Sequence, residues 1–125
     1  MPENMNNKNM RFILRSKIHK AIVTEADLNY IGSITIDKEL VEKAGFWPGE
    51  KVLVVSNTSG VRLETYVIVG ERDSRIIRMN GAAARLIKTG EEIIVMGFEL
   101  ADKPLKPKNI LVDRQNKFLR YLSYN

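Results

Sequence analysis

Gly32-Ser33 places a hydroxyl directly beside a carbonyl that no side chain shields. Glycine lacks a Cβ, so Gly32 can take backbone angles barred to other residues, and its carbonyl is open to attack by the Ser33 hydroxyl. By itself the pair is also what a turn leading into a strand looks like. Other reactive or charged residues flank it in the chain: Lys17 and His19 before it, then Arg62, Thr65 and Tyr66, then Asn80-Gly81-Ala82-Ala83. Arg62 carries a planar fork suited to gripping a carboxylate, and Lys17 supplies a second positive charge. His19 stands two residues from Lys17, on the same face of an extended strand. Taken singly, each has a plain structural reading: surface charges, a structural histidine, a strand threonine, a core tyrosine.

The elements that must position these residues are short. Met10 to Val23 mixes apolar and polar residues in roughly alternating runs, as a strand does; Thr24 to Asp27 breaks the pattern, and Asp27 and Asn29 favour a turn or a short extended connection. Ser33 to Ile36 alternates cleanly, which puts Ser33 at the start of a strand with its side chain off the apolar face formed by Ile34 and Ile36. Asp37 suits a helix N-cap, Leu40, Val41 and Ala44 make an apolar stripe, and Gly45 suits the C-terminal cap. Lys51–Val55 and Val61–Val69 read as a hairpin around the turn-rich Ser56–Gly60. In its second strand Arg62, Glu64, Tyr66 and Ile68 share one face, so a bulge is needed to turn Thr65 and Tyr66 towards one site. Arg75–Met79 is a further strand, Ala82–Lys88 a helical run closed by Gly90, Glu92–Phe98 a core strand and Ile110–Val112 a last strand. Many short strands, two or so short helices and no βαβ rhythm point to a mainly β fold, a small closed barrel.

Composition bounds the function. The 125 residues fit one domain, 1–125, with the polar, Asn-rich residues 1–9 expected to be disordered. With 44% apolar and 28% charged residues the chain has the make-up of an ordinary globular protein. Neither a membrane-spanning run nor a signal segment is apparent, and we expect a cytoplasmic protein with no membrane partner. There is no cysteine and one histidine, which removes disulfides and thiolate chemistry and argues against any metal site. The net charge of +5 admits a nucleic-acid partner or an acidic substrate. The densest basic group, Lys103, Lys106, Lys108, Arg114, Lys117 and Arg120, reads as a solvated surface, so no nucleic acid is expected.

In order and spacing, Lys17-Ile18-His19, Tyr30-Ile31-Gly32-Ser33, Arg62-Leu63-Glu64-Thr65-Tyr66 and Asn80-Gly81-Ala82-Ala83-Ala84 resemble aspartate 1-decarboxylase, the pyruvoyl-dependent family that makes β-alanine for pantothenate and coenzyme A synthesis. The resemblance runs from about Met10 to about Asp113 and implies a six-stranded double-psi β barrel. Removing the α-carboxylate of an amino acid leaves a carbanion that requires an electron sink, and a carbonyl that condenses with the substrate amine provides one. In the family that carbonyl is a pyruvoyl group made by self-cleavage of the Gly-Ser bond, with neither metal nor PLP. Mapped here, autocatalytic processing of a zymogen would give fragments 1–32 and 33–125, the second beginning with a pyruvoyl derived from Ser33 that forms the Schiff base.

The resemblance also implies roles. Gly32, Ser33, Thr65 and Asn80 would carry the processing, with Thr65 and Asn80 as donors to the developing oxyanion. Lys17, His19, Arg62, Thr65, Gly81, Ala82 and Ala83 would bind L-aspartate, Tyr30 would wall the site, and Tyr66 would return a proton to the carbanion. A homotetramer with sites between subunits is implied, and in some members a maturation factor. Glu64 departs from the usual serine of the family motif and is expected to face away from the carboxylate pocket. Two other readings remain beside this one: a small basic β-barrel DNA-binding regulator, and an unprocessed, non-catalytic homologue.

Overall fold

The computed structural model describes residues 9–123. The expected disorder of residues 1–9 lies outside these for all but Asn9. The first strand, β1 (Arg11–Ile22), is followed after only Val23-Thr24 by β2 (Glu25–Asp27). Of the two readings of Thr24 to Asp27, a turn or a short extended connection, the structure takes the extended one. The segment is drawn into strand form by parallel pairing of β2 with β6 (Ile77–Asn80), a partner some fifty residues away that no local propensity reports.

Between them come β3 (Ser33–Asp37), α1 (Lys38–Ala44), β4 (Lys51–Ser56) and β5 (Arg62–Gly70); after β6 come α2 (Ala83–Leu86), β7 (Glu92–Ala101), β8 (Lys108–Val112) and β9 (Phe118–Leu122). The sheet runs β2-β6-β3-β5-β4-β7-β1-β8-β9. Because β1 and β2 are one strand interrupted at Val23-Thr24, the order closes on itself: β1/β2, β6, β3, β5, β4 and β7 form a ring of six. Thr24 seals the closure, its backbone N–H and its hydroxyl both donating to the Ile77 carbonyl while the hydroxyl accepts from Ile77 N–H. Asn116 clasps the same seam, accepting from Ile22 N–H at 2.7 Å and donating to the carbonyls of Ile22 and Arg75 at 2.8 and 2.9 Å.

The ring has an internal two-fold pattern. Each half runs strand, strand, helix, strand. The antiparallel pair β4–β5 answers β7–β1, and the parallel pair β3–β5 answers β6–β2, while β3–β6 and β4–β7 map onto themselves; every pairing in the ring joins one half to the other. This is the expected six-stranded double-psi β barrel with two short helices. The hairpin β8–β9 lies outside the ring, β8 running parallel to β1. β9 was not anticipated: Phe-Leu-Arg-Tyr-Leu lacks a clean alternation, and it forms because β8 offers it an edge.

Ile18, Ile34, Ile36, Ile77, Met79 and Ile93 on the ring strands, Leu40 on α1 and Ile110 on β8 are fully buried in one core. Each contributes about 1.5–3 kcal/mol through removal of apolar surface from water. α1 follows its sequence signals: the Asp37 carboxylate accepts from Glu39 N–H, Leu40, Val41 and Ala44 face inward, and Gly45 caps the end at φ 78°. The second helical run is cut to four residues and lacks any side-chain cap.

Candidate active site

Ser33 opens β3, and the antiparallel register sets it directly opposite Asn80, the last residue of β6. Both are fully buried, although both point away from the isoleucine face. The Ser33 hydroxyl donates to the Ile31 carbonyl at 2.7 Å, and its oxygen accepts from Asn80 Nδ2 at 2.9 Å. Asn80 Nδ2 also donates to Thr35 Oγ1 at 3.0 Å, and Asn80 Oδ1 accepts from Arg78 Nε at 2.9 Å. Neither Thr35 nor Arg78 was singled out from the sequence. Alternation of β3 and β6 could have suggested that they share a face with Ser33 and Asn80, but only the register reveals contact.

Of the two glycines at the site, the one in the left-handed region is Gly81, at φ 68°; Gly32 is not among the positive-φ glycines. A Cβ on Gly81 would lie 2.7 Å from Gly32 Cα, 2.9 Å from Gly32 N and 3.1 Å from the Tyr30 carbonyl oxygen. Gly81 N–H donates to the Asp27 carbonyl at 2.8 Å, so the turn after β6 is pinned against the segment that carries the Gly32-Ser33 bond. A Cβ on Gly32 itself would meet nothing within 4 Å. The absent side chain at 32 leaves its carbonyl approachable, and the absent side chain at 81 lets the two backbones touch. Ala82 is exposed and Ala83 half-buried, on the rim of the same turn. Tyr30 is also on the rim, with the Arg78 guanidinium carbon 4.7 Å from its ring centre.

β5 lies beside β3 in parallel, Val67 level with Ile34, so Tyr66 stands alongside Ser33. Val67 and Ile34 point into the core; Tyr66 and Ser33 therefore both point outward. The pairing of Lys51–Val55 with Arg62–Tyr66 is regular and contains no bulge, so Thr65 points to the opposite face from Tyr66 and makes no hydrogen bond to Ser33. Glu64 does not face away: it lies between Arg62 and Tyr66 on their face, 3.3 Å from Lys51 Nζ. Both partners of that ion pair are well exposed. The extended backbone simply leaves residue 64 on the side of 62 and 66.

Lys17 and His19 are elsewhere. They project outward from β1, which lies three strands from β5 in either direction around the ring. Within one chain they share no pocket with Arg62 and Tyr66. Burial lowers the pKa of His19, with the positive charges of Lys17 and Lys20 acting the same way and Glu92 opposing, which favours the neutral imidazole. His19 Nδ1 is buried and has no hydrogen-bond partner among the described residues, and the same holds for both carboxamide atoms of Asn109, which is level with Lys17 on the neighbouring strand β8. Among the described residues no group of three His, Cys, Asp or Glu could hold a metal ion. No helix among them is long and apolar enough to cross a membrane.

The family model for aspartate decarboxylase matches residues 9–119. The chain belongs to the aspartate decarboxylase family. Among its relatives in that family, an aspartate 1-decarboxylase of Neisseria meningitidis is 48% identical over 118 residues, covering 91% of this chain and 93% of the relative. One of Clostridium botulinum is 52% identical over 116 residues, covering 90% and 94%, and one of Chlorobium luteolum is 56% identical over 108 residues, covering 83% and 84%. Among solved structures, the computationally designed msDPBB_sym2 protein aligns at 18% identity and a TM-score of 0.43, covering 70% of this chain and 99% of that one, a likeness too loose to carry a conclusion.

Proposed function

We propose that this protein is a self-processing, pyruvoyl-dependent decarboxylase that converts L-aspartate to β-alanine and carbon dioxide, the step that feeds pantothenate synthesis. Membership of the aspartate decarboxylase family supports the activity and the substrate. The observation that carries the processing is the pairing of Ser33 with Asn80, with the Ser33 oxygen held between Asn80 Nδ2 and the Ile31 carbonyl beside a Gly32 that lies flush against Gly81.

In the reaction proposed, Ser33 Oγ attacks the Gly32 carbonyl carbon, the hydroxyl proton passes to the departing nitrogen, and an ester replaces the amide. Loss of the Ser33 α-proton expels Gly32 as a carboxylate, and one water then replaces the nitrogen at position 33, which leaves as ammonia. The products are fragments 1–32 and 33–125. Asn80 Nδ2 would stabilise charge on Ser33 Oγ as it reacts; its hydrogen bond to that oxygen, in a buried site where such a bond is stronger than in water, supports this role. Thr65, which faces elsewhere before cleavage, would join only after a local rearrangement of β5.

The residues present fit the pyruvoyl group, because the glycine at 81 leaves the space against position 32 that a Cβ would fill. The group supplies the electron sink for loss of the α-carboxylate. Tyr66, alongside position 33 and pointing the same way, is the proton donor. Arg62 and Lys17 bind carboxylates, with His19, Gly81, Ala82 and Ala83 completing the pocket and Tyr30 closing it. For Lys17 and His19 to reach a site with Arg62, a second copy must contribute them, which supports a homotetramer with sites between subunits. Exposed apolar side chains on the outside of the barrel, Phe12 at 76% and Trp47 at 75%, support such an assembly. The protein would act in the cytoplasm, with a maturation factor as a further partner if cleavage is not spontaneous.

The test is to incubate the purified protein with L-aspartate and follow β-alanine, beside Ser33→Ala. Stoichiometric β-alanine and carbon dioxide from the parent protein and none from Ser33→Ala is the expected result. Equal turnover by the two would exclude a cofactor derived from Ser33.

A further inference from the structure

Asn80 offers an amide with two orientations, and only one serves Ser33. The Ser33 hydroxyl proton is committed to the Ile31 carbonyl, so the Ser33 oxygen must accept, and it accepts from Asn80 Nδ2. The second Nδ2 proton goes to Thr35 Oγ1. On the other side, Oδ1 faces Arg78 Nε at 2.9 Å. Arginine is a donor only and cannot deprotonate, so a flipped amide would set N–H against N–H at Arg78 and leave the Ser33 oxygen without its donor.

Arg78 is itself held on three sides. Its backbone lies in β6, two residues before Asn80; Nη1 is 3.6 Å from Glu25 Oε2 on β2, the strand that pairs with β6; and its guanidinium stacks on the Tyr30 ring, two residues ahead of Gly32. The side chain is mostly buried, at 22% exposure. A guanidinium in that position braces the donor to Ser33 and the backbone that leads into the Gly32-Ser33 bond.

We propose that Arg78 is a positioning residue for self-cleavage: its Nε–H locks the Asn80 carboxamide with Nδ2 towards Ser33. The inference rests on the processing role given to Asn80 above. It does not require Arg78 to touch substrate.

The experiment follows cleavage at Gly32-Ser33 by intact mass after a short pulse of synthesis of the full chain, for the parent, Arg78→Met, Arg78→Lys, Asn80→Ala and the double variant Arg78→Met/Asn80→Ala. Arg78→Met should slow cleavage roughly 10- to 100-fold, the usual consequence of a misplaced catalytic group. Arg78→Lys, which keeps a donor and a charge, should recover at least part of that loss. In the Asn80→Ala background, Arg78→Met should slow cleavage no further, because there is no amide left to orient.

Three results would overturn the proposal: Arg78→Met cleaving at the parent rate while Asn80→Ala is slow, Arg78→Lys no faster than Arg78→Met, or the two losses multiplying in the double variant. The last would mean that Arg78 acts through Tyr30 or the fold. Parent-like cleavage by Asn80→Ala has a different meaning: it removes the Asn80 role itself, and the proposal with it. If Arg78→Met also lowers the melting temperature, the Arg78→Lys rate and the double variant decide, since a merely structural loss would not vanish when Asn80 is absent.

Discussion

The chain leaves β3 and β6 at equivalent places in the two halves of the barrel, and the two crossovers are built in opposite ways. β3 ends on Asp37, 2% exposed, whose carboxylate accepts backbone N–H groups from Glu39, Asp73 and Arg75 at 2.9, 3.0 and 2.7 Å. That side chain starts α1, a seven-residue helix with three buried apolar residues and a left-handed glycine cap, and it also fastens the loop leading into β6. After β6 comes Gly81, with no side chain, then a four-residue helix with no side-chain cap and one buried residue. One half uses a buried acid to hold its crossover in place. The other uses a missing Cβ to bring backbone within contact of Gly32. The same topology thus provides a half whose crossover is tied by a side chain and a half whose end can approach a reacting bond, which fits the view that a fold hosts chemistry through local departures from its own regularity.

Substitution at Gly81 should break the second half's specialisation most severely. Gly81→Ala adds a Cβ 2.7 Å from Gly32 Cα, where only backbone can yield, at a φ unfavourable to alanine. Cleavage should fall at least roughly 100-fold, with about 1–3 kcal/mol lost from stability. Gly60→Ala makes the control: it has φ 82° but open space, so denaturant unfolding should show about 1 kcal/mol of strain and the cleavage rate should hold. Asp37→Ala tests the first half. Three buried or part-buried N–H groups lose their acceptor, and urea unfolding should show about 2–4 kcal/mol of destabilisation while the folded fraction still cleaves. A cleavage defect in Asp37→Ala larger than its stability defect would mean that the two crossovers are not separable.

Smaller effects are expected away from both crossovers. His19 has a folded pKa below its ordinary value, so the folded protein binds that proton less readily than the unfolded chain does. The corresponding stability is present above about pH 6.5 and is lost as pH falls from there through the folded pKa. Histidine-resolved NMR should place the titration below 6.5, and His19→Gln should flatten that part of the stability profile. Glu64→Gln should change stability by under about 0.5 kcal/mol, because its ion pair with Lys51 is solvated on both sides.

Local signals made the first half readable from sequence. Asp37 and Gly45 bracket a three-residue apolar stripe, and Ile34-Thr35-Ile36 alternates, so α1, β3 and the place of Ser33 at a strand start all follow from neighbours a few residues apart. The second half depended on pairings between distant segments. β2 exists only because β6 lies beside it, the role of Arg78 only because Glu25, Tyr30 and Asn80 converge on it, and the left-handed glycine next to the reactive bond turned out to be Gly81, not Gly32. Thr65 and Tyr66 share a motif five residues long, yet a regular strand turns them to opposite faces. Lys17 and Arg62 sit in equally plain motifs, and no one-chain pattern could reveal that the barrel holds them apart.

The most direct test of the account is the intact mass of the freshly purified protein under denaturing conditions. We expect two species split between Gly32 and Ser33, the larger lighter by one ammonia than hydrolysis alone would leave it. A single full-length mass that persists through long warm incubation, and through co-expression with a maturation factor, would contradict it.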